Sequence, residues 1–488
     1  MRKEAVMDPI VYYMSDRAGY ISESIPFKAL KLCRDAGIKD MIKKGDKVAI
    51  KVHMGEYATP FNLRPHWVKA IVEEVQRLGG EPAIVDCSTV VASDYCARAV
   101  ESDHLKVASD HGFNTETMGC PVVIGDGAFG FDDVEVPVPN GVLLKHSYIG
   151  KRLLDFDKCI VISHFKGHSQ GVYGGALKNV GIGMGSKHGK IATHSYCHPT
   201  IGITSCKVNK EKAIEASKSS SYVRTPNGNI LIPKTDPNET SVLDRLMNSC
   251  PHDCFELKDG EFEFHKERCT FCANCLTTAR FSGVFQLDPE MPAMWPTVIS
   301  DSAAAYMNAM GKDNFLFVNY AFDITPTCDC NMFCDRPMIP NLGVFVSRDP
   351  VAVDMACLEA CEAASIVPGS KAEEYGFSDP NTDRFTNVSS ATKVSQWSQI
   401  NAAVFNGIGS SKYTLVESEP APESDFWFPP YTPDNTIYDV YREQWAADHF
   451  DYGDCYYDDK RLSKEELYRR PDGLQNAMTI KEFEAAGK

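Results

Sequence analysis

Residues 47–86 read KVAIKVHMGEYATPFNLRPHWVKAIVEEVQRLGGEPAIVD. Two apolar runs, Lys47 to His53 and Glu81 to Asp86, flank Pro65 to Leu78, where Val68, Ile71, Val72 and Val75 recur at the spacing of one helical face. Gly79-Gly80 supplies the stop. The order strand, helix, strand is the signature of an α/β unit on a mostly parallel sheet.

Working outward, the same alternation continues to about Ser195, with further strands expected at Pro121 to Ile124 and Lys158 to His164. It returns after about Pro292, with strands at Phe315 to Ala321 and Gly343 to Ser347 and a helix over Ala352 to Ala363. Between these halves lies a different, cysteine-rich segment, so the chain reads as one α/β domain with an insertion. The expected division is 1–200 for the first part of that domain, 201–240 for a polar connector, 241–290 for the cysteine-rich segment, 291–415 for the second part, and 416–488 for an aromatic-rich C-terminal extension.

With 488 residues, 43% hydrophobic and 24% charged, the chain is long enough to bury a large core. A formal charge of -16 without a dense Lys/Arg run argues against nucleic acid as a partner. The N-terminal MRKEAVMDPIVYYMSD lacks the apolar core of a signal peptide, and no segment reaches the roughly 18 apolar residues needed to cross a bilayer. A cytoplasmic protein without a membrane partner is expected, and its 18 cysteines are then read as thiols or metal ligands. Oligomeric state is not legible.

Cys269-Thr-Phe-Cys272-Ala-Asn-Cys275 has the two-residue spacing by which one tight loop caps three irons of a cubane cluster. A structural zinc site uses the same spacing, and reduced structural thiols are the bland alternative. Cys250-Pro251 lies upstream of it, followed by CFELKDGEFEFHKERC, a hairpin pattern with Asp259-Gly260 at its turn. This arrangement resembles half of a bacterial ferredoxin, in which a Cys-Pro cysteine supplies the fourth ligand. The resemblance implies a single 4Fe-4S cluster on Cys250, Cys269, Cys272 and Cys275, because Thr240, Leu243 and Leu246 occupy the three cysteine positions upstream of Cys250 in the other half, and Ala279 stands where the half bearing Cys269 to Cys275 would end in its own cysteine. The fold class expected is therefore α/β, a mostly parallel sheet with an inserted ferredoxin-like α+β segment.

Cys328-Asp-Cys330-Asn-Met-Phe-Cys334 places three sulfurs within seven residues, with Asp329 and Asp335 beside them. A soft-metal site, a second cluster, and a local thiol pair or turn feature all remain open there.

Residues 163–195, SHFKGHSQGVYGGALKNVGIGMGSKHGKIATHS, follow a strand, where α/β sheets place their ligands. Glycines admit close backbone approach, and the interleaved Lys and His offer charge and protons to an anion. A glycine-rich connector with solvated cations is the alternative. The segment is no phosphate-binding Walker loop, since Met184 and Ile191 occupy required Gly and Ser/Thr positions. His168, Lys178 and His194 are the candidate catalytic residues; His53, His164, Gly174, Gly175 and Lys190 are candidate substrate-binding residues. His66, His104, His111 and His449 are assigned no role.

The order His168, Gly174-Gly175-Ala-Leu-Lys178, His194 is similar to that of the lactate racemase family. That similarity implies a lysine tethering a nickel-pincer cofactor, one histidine on nickel and another moving protons. Taken together, KVHMGEY, RPHWVKAIVEEV, IVDCSTVV, GHSQGVYGGALKNVGIG, the ferredoxin piece, CDC and SRDPVAVDMACLEA resemble the iron-sulfur centre proteins grouped as domain of unknown function family 362, over about residues 45 to 365. Members usually carry two ferredoxin-type motifs and have no generally assigned reaction; this chain departs by lacking the first motif and by its C-terminal extension.

The leading expectation is an oxygen-sensitive iron-sulfur oxidoreductase acting on a small anionic substrate in a Gly/His/Lys cleft, with His168 and His194 as proton donors and Lys178 as an electrostatic anchor. Two other classes are carried beside it. One is an electron-transfer or metallocofactor-maturation partner that docks a redox protein and has no substrate of its own. The other is a racemase-like proton-transfer enzyme with nickel.

Overall fold

The computed structural model describes residues 8–90, 96–194, 207–225, 228–259, 261–269, 275, 282–286, 291–377, 383–390 and 393–426, with scattered positions beyond 438. An eight-stranded sheet organises residues up to 423. Its strands are β1 (Ile10–Ser15), β2 (Lys47–Lys51), β3 (Glu81–Asp86), β4 (Val122–Ile124), β5 (Lys158–His164), β6 (Phe315–Ala321), β7 (Gly343–Ser347) and β8 (Thr414–Glu417). They lie in the order β8-β1-β7-β6-β5-β2-β3-β4. Strands β6, β5, β2, β3 and β4 pair in parallel, as do β1 and β8, and β7 alone runs against its neighbours β1 and β6. The mostly parallel α/β sheet expected from the sequence is what the chain forms.

Buried on both faces, β5 and β6 are largely apolar runs, as parallel strands covered by helices require, and the antiparallel β7 between β6 and β1 is buried as fully. Among the helices are α1 (Ile25–Asp35), α2 (Pro65–Arg77), α3 (Ala176–Gly181), α4 (Val242–Asn248), α5 (Met291–Met310), α6 (Pro350–Ala363) and α7 (Ser398–Asn406), with others, such as Glu101–Asp110 and Lys187–His194, between them. Helix α6 begins two residues before the sequence suggests. Asp349 caps it by accepting from Val351 N at 2.8 Å and Ala352 N at 2.9 Å, and Pro350, which lacks an N–H, fits the first turn.

Strands β2, β3 and β4 step outward to one side, while β5 and β6 lie on the other. The chain therefore reverses direction across the sheet between β2 and β5, and a crevice opens at the carboxyl ends of those strands.

The insertion leaves after β5 and returns before β6, its immediate neighbour. Lys207–Val208 pairs antiparallel with Phe285–Gln286, so chain entry and exit lie side by side. Within it, Ala213, Leu231, Leu243, Leu246, Phe255 and Phe262 form a separate small core. The stretch 201–240, expected to be an irregular connector, carries a helix at Lys210–Ser217 and a hairpin of Ser219–Thr225 with Gly228–Pro233. Its polarity belongs to a two-stranded ribbon with one wet face, on which Val223 and Ile230 are exposed, and the turn residues Pro226 and Asn227 lie outside the described residues. The second hairpin forms as expected, Phe255–Lys258 pairing with Glu261–Phe264, and Asp259 takes φ 51° at its turn. The expected boundary at 415/416 falls inside β8. Residues 424–488 separate as a second unit, of which few positions are described. Among the described residues no helix is long and apolar enough to cross a membrane.

Candidate functional site

Lys51 closes β2 and is fully buried, which a lysine tolerates only with compensation. Its Nζ lies 3.0 Å from Asp86 Oδ1 at the end of β3, donates to Asn179 Oδ1 at 2.7 Å, and donates to Val52 O at 3.1 Å. Gly183 admits this amine, because a Cβ there would overlap Lys51 Nζ and Asn179 O. His53 and His104 approach the same carboxylate, at 3.5 and 3.6 Å from Asp86 Oδ2. Burial alone would raise the Asp86 carboxyl; Lys51, His53 and His104 outweigh it and hold it well below the usual range. Burial pushes His53 down and His104 to about 3.

Asp329, on the loop after β6, is the second hub. Lys166 Nζ lies 2.9 Å from its Oδ1 and His164 Nδ1 3.2 Å from its Oδ2, while His164 Nε2 faces Phe322 O at 2.8 Å. Its backbone oxygen accepts from Glu56 N at 2.8 Å, which ties the β2 and β6 loops together. Burial again opposes ionisation, and Lys166, His53 and His164 overcome it, so Asp329 is held well below the ordinary carboxyl value. Glu56 and Arg64 do not join His53: Glu56 binds Arg98 at 3.0 Å and Arg64 binds Asp323 at 2.8 Å.

Between the hubs lies a cavity of about 570 Å³. Lys51, Arg98, Lys166, Lys178, Lys190 and Arg245 line it, against Asp86 as the one lining carboxylate among the described residues. Asp86, Asp329 and Glu56 balance Lys51, Lys166 and Arg98. For Lys178, Lys190 and Arg245 no carboxylate lies within ion-pair distance among the described residues, so these three basic side chains bring positive charge to the cavity. Lys178, on α3, is pushed down to about 7 by burial and by the neighbouring Lys166, Arg98 and Lys51, against the pull of Asp329. Lys190 is lowered chiefly by burial, and its Nζ donates to Gly185 O. Helix α3 is held by Asp354 of α6, whose carboxylate accepts from Ala176 N at 2.7 Å and Leu177 N at 3.0 Å. That close approach requires Gly175, where a Cβ would overlap the carboxylate.

The two candidate catalytic histidines both line the cavity and both pack on Trp295, with ring centroids 5.4 Å (His168) and 5.0 Å (His194) away. Their hydrogen bonds fix opposite tautomers. His168 Nδ1 accepts from Gln170 N at 3.1 Å and Gly171 N at 2.8 Å, so the ring proton sits on Nε2. His194 Nδ1 faces the Lys190 carbonyl at 2.6 Å and must donate to it, which leaves the lone pair of the neutral ring on Nε2. One neutral ring thus offers the cavity a hydrogen-bond donor and the other an acceptor. His188 instead pairs with Asp133 at 2.9 Å and does not line the cavity.

Cys330 lines the cavity and is joined to the fully buried Cys328 in a disulfide. His168, Cys328 and Cys330 offer ligand atoms all within 4.8 Å of one another, a group that could hold a metal ion. His168 thus stands where the sequence suggests Cys334, whose sulfur turns back to Thr327 O at 3.7 Å and Cys328 O at 3.6 Å. Of the four cysteines expected on the cluster, Cys250, Cys269 and Cys275 converge on the small core of the insertion and none is in a disulfide, while Cys272 lies outside the described residues. Cys254 N donates to Cys250 Sγ at 3.4 Å, the kind of hydrogen bond a ligand thiolate takes.

Residues 48–359 match the model of the family described as Domain of unknown function (DUF362). The chain belongs to this family. Six chains of solved structures also match. One is the lactate racemase apoprotein from Thermoanaerobacterium thermosaccharolyticum, at 15% identity and a TM-score of 0.26, covering 40% of this chain and 43% of that one. The likeness thus spans less than half of either chain. No curated protein matches.

In this DUF362 member all eight candidate catalytic and substrate-binding residues meet in or beside one cavity. Sequence reasoning missed the groups that organise it. Asp86 reads as a strand end and His104 as an ordinary helix residue; Arg98, Trp295, Tyr222 and Arg245 carry no local motif.

Proposed function

We propose that this DUF362 member carries one 4Fe-4S cluster on Cys250, Cys269, Cys272 and Cys275 and performs proton-coupled redox chemistry on a small anionic substrate in the cavity. The observation that carries this reading is the wall of the cavity itself: the cysteine-bearing insertion contributes Tyr222 and Arg245 to it. Arg245 lies on α4, whose end leads directly into Cys250. Cys250 follows two residues after the helix ends at Asn248, so Arg245 and this expected ligand share one continuous stretch of chain. When bound, the cluster would supply single electrons.

The residues of the chain would do the rest. Lys178, Lys190 and Arg245 bind the anion in a water-poor space, where their charge counts for more than in bulk water. His168 Nε2–H donates a hydrogen bond to negative charge developing on the substrate and the His194 Nε2 lone pair accepts a proton, so proton movement can accompany electron movement. The opposed tautomers also favour a second reading, racemase-like proton transfer between two faces of a substrate, for which bound nickel would be the distinguishing mark.

The test is metal and sulfide analysis of anaerobically purified protein, with EPR after dithionite reduction, repeated with sodium oxalate as a probe anion. About four irons and four sulfides per chain, and an EPR signal that oxalate perturbs in the wild type but not in Lys178→Ala, are expected. Zinc without sulfide would overturn the cluster reading, and nickel would favour the second.

A further inference from the structure

We propose that Cys328 and Cys330 form a redox-active disulfide in the cavity wall that an anionic low-molecular-weight thiol opens by exchange. The proposal rests on the anion-binding reading of the cavity above. A disulfide acts as a staple in proportion to the loop it closes, and this one joins residues two apart, with Cα atoms 5.3 Å from each other. It can contribute little to folding stability. The twelve other cysteines described stay out of disulfides, so the pair is set apart chemically.

The surroundings differ at its two sulfurs as exchange requires. Cys330 faces the cavity, where a thiolate can reach it, and Cys328 is fully buried. Cys330 N donates to Cys328 Sγ at 3.2 Å, which equips Cys328 as the leaving sulfur. His168 Nε2, the nitrogen bearing the proton, lies 3.7 Å from Cys330 Sγ, and Asp329 between the cysteines is pinned by Lys166 and His164. The same tautomer works against a metal at this spot. A metal-bound imidazole donates its other N–H to an acceptor, whereas His168 Nδ1 faces two N–H donors.

The exchange balances without a further reactant. A substrate thiolate attacks Cys330 Sγ, the S–S bond breaks, and its electron pair leaves on Cys328, which takes up a proton. A second thiolate attacks the substrate sulfur of the mixed disulfide and forms substrate disulfide; Cys330 departs with the electron pair, its thiolate facing the His168 Nε2–H as a hydrogen-bond donor, and takes up a proton from solvent. Two substrate thiols lose two electrons and two protons, and the cysteine pair gains both. The cationic wall selects thiols that carry negative charge.

The test equilibrates the full chain in graded mixtures of glutathione and glutathione disulfide, quenches with iodoacetamide, and scores the Cys328–Cys330 peptide by mass spectrometry. A reversible two-electron transition is expected, with opening by glutathione about tenfold or more faster than by the cationic thiol cysteamine. Cys328→Ser should trap a glutathione adduct on Cys330, and His168→Gln should slow opening while leaving the equilibrium position in place. Both cysteines alkylated at every ratio would overturn the proposal. So would a metal that shields the pair in Cys272→Ser protein lacking the cluster. If the pair titrates but glutathione and cysteamine act equally, the anionic-thiol assignment falls together with the anion reading of the cavity; if the pair stays reduced while oxalate still perturbs the site, only the disulfide proposal falls.

Discussion

Lys178→Met should make the protein more stable, and should do so only where the amine is charged. The Lys178 amine sits at about 7 against its ordinary 10.5, because burial and three neighbouring cations penalise its charge. At about 1.36 kcal/mol per pH unit, the charged amine costs at most about 5 kcal/mol of folding stability. Lys178 is partly open to the cavity, so water screens some of this, and about 2–3 kcal/mol is the working expectation.

The sign follows from proton linkage. Below about pH 7 the amine is charged in folded and unfolded chains alike, and the whole cost is present. Between about 7 and 10.5 the unfolded chain holds the proton that the folded chain has lost, so stability rises with pH. Above 10.5 both are neutral and the cost is gone. Methionine keeps the length of the side chain without the charge. Thermal melts of the variant and the wild type at pH 6 and pH 10 should therefore show a variant several degrees more stable at the lower pH and nearly matched at the higher. Sodium oxalate, by supplying a counter-charge, should raise the wild-type midpoint and leave the variant unmoved. A variant less stable than wild type at pH 6, or equally stabilised at both pH values, would refute the argument that Lys178 is an uncompensated buried cation.

Asp329→Asn should cost about 3–5 kcal/mol in urea unfolding, because it strands Lys166 as an unpaired buried charge. Asp86 and Asp329 are both held below the usual carboxyl range, so their stabilisation is complete above about pH 4 and drains away as the pH falls below it, which an acid titration followed by circular dichroism would register. Gly183→Ala should cost about 1–3 kcal/mol through overpacking against Lys51 and Asn179, read as a lowered urea midpoint together with weaker oxalate binding. Cys250→Ser and Cys269→Ser should each lose iron and acid-labile sulfide while the far-ultraviolet circular dichroism of the main sheet persists; retained stoichiometry in either would remove that residue from the ligand set.

What could be read from the sequence was what neighbouring residues decide. The run KCIVISH at β5 is a buried parallel strand on its face, and the helical spacing of Val68, Ile71, Val72 and Val75 needs no knowledge of the sheet. The glycine and histidine segment declared itself because its chemistry is packed into about thirty residues of continuous chain. What escaped was decided at a distance. β1 lies between the sheet's one antiparallel member and the edge strand β8, and pairs with β8 across about four hundred residues, with no apolar run as long as those of the central strands to mark either. Asp86 and Lys51 look like solvated strand ends until parallel pairing sets β2 beside β3, and Asp354 looks like a polar lapse in an apolar helix until α3 arrives to donate two N–H groups to it. Each of these charges is buried opposite a partner 35 or more residues away, and a buried charge without its partner would cost several kcal/mol. The groups that escape a local reading are therefore the ones whose placement is most constrained by the fold, which is why the cavity's catalytic candidates could be listed in advance and its electrostatic frame could not.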